Sequence, residues 1–185
     1  MTQISSPWQT KGTRLVYENP WIKVREDEVV QPDGKPGIYG VVHFKNTAIG
    51  ILPIDEEDKV CLVGQYRYSL ESYSWEIPEG GCRQGEEHLD AAKRELVEET
   101  GMVAANWTKL GSAFLSNSVS DELAIYYLAT GLTRGTPTPE GTEQLEYKHV
   151  SFDQALDMVM RGEITDALSI LAITNYGIIR ANKRG

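Results

Sequence analysis

The chain is predicted to fold as an α/β sandwich around a mixed β-sheet, and three observations lead there. β-Branched and aromatic runs recur along most of the chain between turn residues, as in "IYGVVHF", "TAIGILPI" and "ELAIYYLA". A segment from Glu86 to Thr100 holds no proline or glycine and is rich in helix formers. The chain then closes on two segments with helical spacing of apolar residues. Strands interleaved with helices, with hairpins among them, are best satisfied by helices covering a mixed sheet.

Taken in order, Thr13 to Phe44 alternates apolar and polar residues around the turn "QPDGKPG" and reads as a small antiparallel unit. Such a unit buries little alone and needs the rest of the chain or a second subunit to pack against. The expected organisation is residues 1–44 as this N-terminal β unit and 45–185 as the main domain. "TAIGILPI" and "KVCLVGQYRYSL" read as core strands separated by "DEEDK", and further strands are expected at "WTKLGSAFLS", "ELAIYYLA" and "EYKHVSF". "DQALDMVMRG" and "ITDALSILAITNYGIIRAN" read as helices with Ser151 and Thr165 as N-caps.

A length of 185 residues and 41% hydrophobic content suffice for a real core. The net charge of −9 opposes binding to a nucleic-acid polyanion, although it does not exclude small phosphate ligands bridged by a metal. Cys61 and Cys82 form no CxxC or Cys/His cluster and read as reduced and incidental. The start "MTQISSPWQTKG" lacks a secretory pattern, and no apolar run approaches the length of a membrane span. The expectation is a cytoplasmic protein without membrane partners.

The segment "GGCRQGEEHLDAAKRELVEETGM" crowds carboxylates onto a helix, where like charges one turn apart repel by a few tenths of a kcal/mol per pair. At about 100° per residue, Glu95, Glu98 and Glu99 share one arc, with Leu89, Ala92 and Leu96 beside it as an apolar stripe. The carboxylates therefore border the core. Gly101 stands where a glycine ends a helix. A solvated acidic face is the plain alternative, but the spacing argues against it. Gly80, Glu86, Arg94, Glu95, Glu98, Glu99 and Gly101, each taken as about one in fifteen by composition, make a chance match on the order of 10⁻⁶ or less.

This spacing resembles the Nudix box. The resemblance implies the Nudix fold and hydrolysis of a nucleoside diphosphate linked to another group. It implies Mg²⁺ as cofactor, two or three ions with Mn²⁺ able to substitute, held chiefly by Glu95 and Glu99 with Glu98 as a further ligand. Arg94 would orient these carboxylates, and Gly80 and Gly81 would let the loop approach the helix so that the Glu79 carbonyl faces the same ions. Hard cations of this kind take oxygen ligands, which gives the crowded carboxylates a purpose.

Beyond the box, "GQYRY" and "WEIPEGG" resemble the ADP-ribose and nucleoside diphosphate sugar pyrophosphatases. That resemblance implies nucleotide contact by Arg67, for which a salt-bridged strand arginine is the alternative. It also implies a homodimer that swaps the N-terminal unit and sandwiches the base between aromatic rings, placing Trp21 and Tyr39 in the substrate site; ordinary hairpin aromatics are the alternative. The catalytic base is expected in "EGTEQLEYKHV", with Glu143 matching best and Glu140 and Glu146 as competitors. Glu143, Glu98 and Arg94 thus form the expected catalytic set. Glu122 would contact substrate or metal. Asn117 stands where ADP-ribose enzymes commonly carry proline, which points to a broader range of substrates such as ADP-ribose, GDP-mannose or ADP-glucose. The rival readings are hydrolysis of dinucleoside polyphosphates or nucleoside triphosphates, and a non-catalytic ADP-ribose sensor; mRNA decapping is disfavoured by the lack of a basic stripe.

Overall fold

The structure is a computed structural model that describes residues 5–137 and 144–184. Its contacts divide the chain into two units, Met1–Asn46 with Phe114–Glu122, and Thr47–Ala113 with Leu123–Gly185.

The first unit is an antiparallel sheet of β1 (Gln9–Glu18), β2 (Ile22–Val30) and β3 (Pro36–Phe44), in that order. The β2–β3 turn closes through Gln31 and Lys35, with Gly34 at φ +84°, a conformation that glycine adopts without steric penalty. Among the described residues of this unit only Asp27 and Val29 are buried, so these strands hold almost no core of their own. The segment 114–122 joins it by backbone pairing, the Val42 N–H donating to the Val119 carbonyl at 2.9 Å.

The second unit contains β4 (Thr47–Pro53), β5 (Lys59–Arg67), β6 (Ser72–Glu76), β7 (Glu79–Cys82), α1 (His88–Thr100), β8 (Met102–Phe114), β9 (Leu123–Arg134), β10 (Glu146–Ser151), α2 (Phe152–Met160) and α3 (Ala167–Arg184). The mixed sheet runs β7-β4-β9-β8, with β4 parallel to β9 and antiparallel to β7. A second sheet, β10-β5-β6, is antiparallel. The sandwich follows from the period-two alternation of the central strands. Ile49, Ile51, Ile125 and Tyr127 pack with Ala91, Ala92 and Leu96 of α1. Gly50 faces the other way, where a Cβ would lie 2.1 Å from the Leu168 side chain of α3. Tyr126 likewise turns to α3 and accepts a hydrogen bond from Asn175 at 2.6 Å.

The expected α/β sandwich with an N-terminal antiparallel unit is the observed class, and the differences lie in detail. The sheet is split in two because β5, β6 and β10 pair among themselves. α1 starts at His88, two residues later than expected, because the Glu86 N–H closes a turn on the Arg83 carbonyl at 3.0 Å. Ser151 caps α2 through a full capping box with Gln154. The cap of α3 is not Thr165: the Asp166 carboxylate accepts the Ser169 N–H at 2.7 Å, one residue nearer the helix. Both cysteines are buried free thiols, and burial pushes that of Cys61 up to about 12.

Candidate active site

The carboxylates of α1 gather where the helix packs on β7. A helix places residues four apart on one face, so Arg94 and Glu98 stand one above the other beside Glu95 and Glu99. Glu95 is 9% exposed and Glu99 1%, while Glu98 is half-buried. A Cβ on Gly80 would sit 2.1 Å from the Glu95 carboxyl carbon, so this glycine is what allows the carboxylate to lie against the strand. The Glu79 N–H donates to Glu99 Oε2 at 3.0 Å.

Arg94 is the hub. Its Nη1 donates to Glu95 Oε1 at 2.7 Å and to Glu98 Oε2 at 2.9 Å. Its Nε and Nη2 fork onto the two oxygens of Glu86, each at 2.9 Å, and Nη2 also reaches the Gly81 carbonyl at 2.9 Å. The bonds to Glu86 hold that carboxyl down at about 2 against a smaller opposing effect of desolvation. The same bonds, with those to Glu95 and Glu98, raise the Arg94 pKa and keep the guanidinium charged. One positive charge thus faces three carboxylates, and the balance remains negative.

A second arginine centre adjoins β7. Arg67 Nε donates to both oxygens of Glu76, at 2.9 and 3.0 Å, and Nη2 bonds Glu76 and Glu79. Burial disfavours the Arg67 charge, but these carboxylates outweigh it and raise its pKa. Glu79 Oε2 is buried without a hydrogen-bond partner. Burial first, then the charges of Asp166 and Glu76, push the Glu79 carboxyl well above the usual range.

These features fit a cation. The donors are carboxylate oxygens, the set hard divalent ions prefer; a buried carboxylate oxygen has no partner; and a glycine cradles Glu95. No group of three His, Cys, Asp or Glu among the described residues converges as a ready-made cage, since Arg94 and the Glu79 N–H hold the oxygens where they stand.

The structure brings Glu79, Arg94, Glu95, Glu98 and Glu99 together, and places Arg67 on the Glu76 and Glu79 side. Trp21, Tyr39 and Glu122 belong to the first unit. Trp21 is 66% exposed in the bend between β1 and β2. Tyr39 donates its hydroxyl to the Ser118 carbonyl at 2.6 Å and meets the edge of Trp8, an aromatic partner that sequence reasoning missed. Glu122 is half-buried, and its carbonyl accepts the Leu115 N–H at 3.1 Å. Asn117 is exposed in a turn. Glu146 opens β10, and burial together with a hydrogen bond to Glu146 raises the Tyr73 phenol. Glu140 and Glu143 lie outside the described residues. Glu76, 2% exposed, was also missed, although it stands inside "WEIPEGG", where a charged residue between Trp75 and Ile77 was the available signal.

Known proteins place this geometry. The model of the nucleoside diphosphate sugar hydrolase N-terminal domain matches residues 8–42, and that of the NUDIX domain matches residues 44–168. The chain is 32% identical over 167 residues to the ADP-ribose pyrophosphatase of Bacillus subtilis, covering 89% of this chain and 90% of that one. It is 29% identical over 170 residues to the methanol dehydrogenase activator of Bacillus methanolicus, with coverage of 89% and 90%. Its fold matches the crystal structure of an ADP compounds hydrolase with a TM-score of 0.87 over 98% of each chain, at 20% identity. With the box residues gathered on α1 and the domain match spanning most of the chain, the protein belongs to the Nudix hydrolases and is a pyrophosphohydrolase of that family.

Proposed function

We propose that this enzyme hydrolyses nucleoside diphosphate sugars such as ADP-ribose, GDP-mannose or ADP-glucose to a nucleoside monophosphate and a sugar phosphate, with Mg²⁺ as cofactor. The observation that carries the reading is the joint presence of the nucleoside diphosphate sugar hydrolase N-terminal domain and the Arg94-centred carboxylates on α1. The names of full-length relatives that act on ADP-ribose support the substrate class.

Glu95, Glu99 and Glu98 would hold the ions, two or three in number, with the Glu79 carbonyl beside them. When bound, such an ion neutralises the pyrophosphate, polarises the attacked phosphorus and lowers the pKa of water. Arg94 holds Glu95 and Glu98 by hydrogen bonds and would orient these carboxylates toward such an ion. Glu143 accepts the proton of the attacking water; the bridging P–O bond breaks, and its oxygen leaves on one of the two phosphate products. Trp21 and Tyr39 stack on the base, and Glu122 contacts the substrate. The first unit exposes the apolar residues Leu15, Val16, Tyr17 and Ile38, which supports a homodimer that would cover them. No described helix is long and apolar enough to cross a membrane.

The test is turnover of ADP-ribose, GDP-mannose, ADP-glucose, a dinucleoside polyphosphate and a nucleoside triphosphate, each with Mg²⁺ and with EDTA. Metal-dependent cleavage of several sugar nucleotides supports the proposal, and preference for the last two substrates replaces it. Tight ADP-ribose binding without turnover points to a sensor. A monomer by light scattering removes the base sandwich across subunits.

A further inference from the structure

The last carbonyls of a helix have no donors within the helix. At the end of α1 the Val97 carbonyl accepts the Gly101 N–H at 2.8 Å, and the Leu96 carbonyl accepts the Thr100 hydroxyl. The Glu99 carbonyl is satisfied from far along the chain, by the phenolic O–H of Tyr147 at 2.7 Å. The same helix end is fastened a second time. The Gly135 N–H donates to the Gly101 carbonyl at 2.8 Å, and the backbone at Pro137 would lie 2.6 Å from a Cβ on Gly101. Tyr147 does not need this bond to join its sheet, because β10 pairs with β5 through the backbone, Tyr147 opposite Val63. Nor does burial explain where its ring lies, since the residue is 42% exposed. What the hydroxyl adds is a fixed point on the turn that carries Glu98 and Glu99.

Glu99 is consequently held from two sides. Its carboxylate accepts the Glu79 N–H, and its own carbonyl accepts Tyr147. Helix ends fray, and the final turn is the part of α1 most exposed to that motion. We propose that Tyr147 is a positioning residue: its hydroxyl pins the last turn of α1 so that Glu98 and Glu99 stay placed for cation binding and turnover, an inference that rests on the hydrolase reading above. Placement matters here because a shift of about 1 Å at a reacting group can cost on the order of 10²-fold in rate.

Tyr147→Phe keeps the ring and removes only the hydroxyl. Tyr126→Phe is the control, since it deletes a comparable bond, from Asn175 at 2.6 Å, on the α3 side of the sheet. The measurements are Mn²⁺ binding by electron paramagnetic resonance without substrate, kcat and KM for ADP-ribose, and the melting temperature. Tyr147→Phe is expected to weaken Mn²⁺ binding and lower kcat by about three- to tenfold each, the range one hydrogen bond supplies, with KM little changed. Tyr126→Phe is expected to lower the melting temperature about as much as Tyr147→Phe does, while Mn²⁺ binding and kcat stay near wild type. Unchanged binding and kcat in Tyr147→Phe overturn the proposal, and so do losses that follow melting temperature equally in both variants. If the wild type binds Mn²⁺ but turns over no substrate, the hydrolase reading fails and the Mn²⁺ titration alone decides Tyr147. If the wild type binds no Mn²⁺, both fail.

Discussion

Arg94 and Arg67 each gather glutamates beside β7, yet the two clusters are built differently. Arg94 spreads its donors over Glu86, Glu95, Glu98 and the Gly81 carbonyl, and its carboxylate partners are partly open to solvent. Arg67 puts most of its donors on one glutamate, Glu76, which is almost wholly buried, and shares the remainder with Glu79. In the proposed metal site a distributed set would let each carboxylate turn from the guanidinium to an ion separately, because Arg94 divides its donors among them. A concentrated buried pair cannot be opened without leaving a desolvated charge behind. The first cluster therefore suits chemistry and the second suits holding the β6–β7 turn in place. In the structure Arg67 takes the form of the salt-bridged alternative, with its guanidinium already engaged.

That contrast can be broken first at Glu99. Glu99→Gln is expected to lower kcat by about 10³-fold or more, since a lost ligand oxygen removes several kcal/mol of charge stabilisation; a correctly folded variant with wild-type kcat in a Mg²⁺ assay would end the mechanism. Glu143→Gln is expected to cost on the order of 10²-fold in kcat while Mn²⁺ affinity stays intact, the mark of a base and not a ligand. Retained kcat would move the role to Glu140 or Glu146. Arg94→Ala should reduce metal affinity or activity by about 10–100-fold. Arg94→Lys should recover little of it, because an ammonium cannot fork onto Glu86 while reaching Glu95 and Glu98.

The same two clusters mark how far the sequence could be read. The carboxylate side of the Arg94 cluster was legible because it is local: α1 and the loop before it carry Glu86, Glu95 and Glu98, and helical periodicity puts residues 95, 98 and 99 on one arc. Strand alternation made the sandwich legible in the same way, at Ile49 and Ile51 against Gly50. The pairing of Arg67 with Glu76 was not legible, since it depends on the β5–β6 register, in which Arg67 stands opposite Ser72. Tyr147 on Glu99 was hidden for the same reason, being a contact across 48 residues set by tertiary packing. The N-cap of α3 went to Asp166 instead of Thr165 because a shift of one residue decides which side chain meets the free N–H groups, and a sequence offers both.

Arg67 separates its two readings by what its loss changes. Arg67→Ala leaves Glu76 buried without its partner, so the expected effect is a loss of roughly 3 kcal/mol in stability by urea unfolding. A rise in KM with unaltered stability would instead mark Arg67 as a substrate contact, and the contrast with Arg94 would collapse.

The smallest expected effect lies in acid. The hydrogen bonds from Arg94 draw the Glu86 carboxyl down from 4.5 to about 2, against a lesser opposing effect of desolvation, and the Arg83 N–H adds to the fall. Because the folded value lies below the unfolded one, the unfolded chain takes up the proton first as pH drops. The contribution of this group to stability is therefore complete above about pH 4.5 and is lost progressively toward pH 2. In Arg94→Ala most of that difference disappears, so its unfolding free energy should fall less steeply than that of the wild type between pH 5 and pH 3, the region where the two curves converge. Parallel curves would mean that Glu86 owes its low value to something other than Arg94, and that the arginine serves Glu95 and Glu98 without anchoring on the loop before the helix.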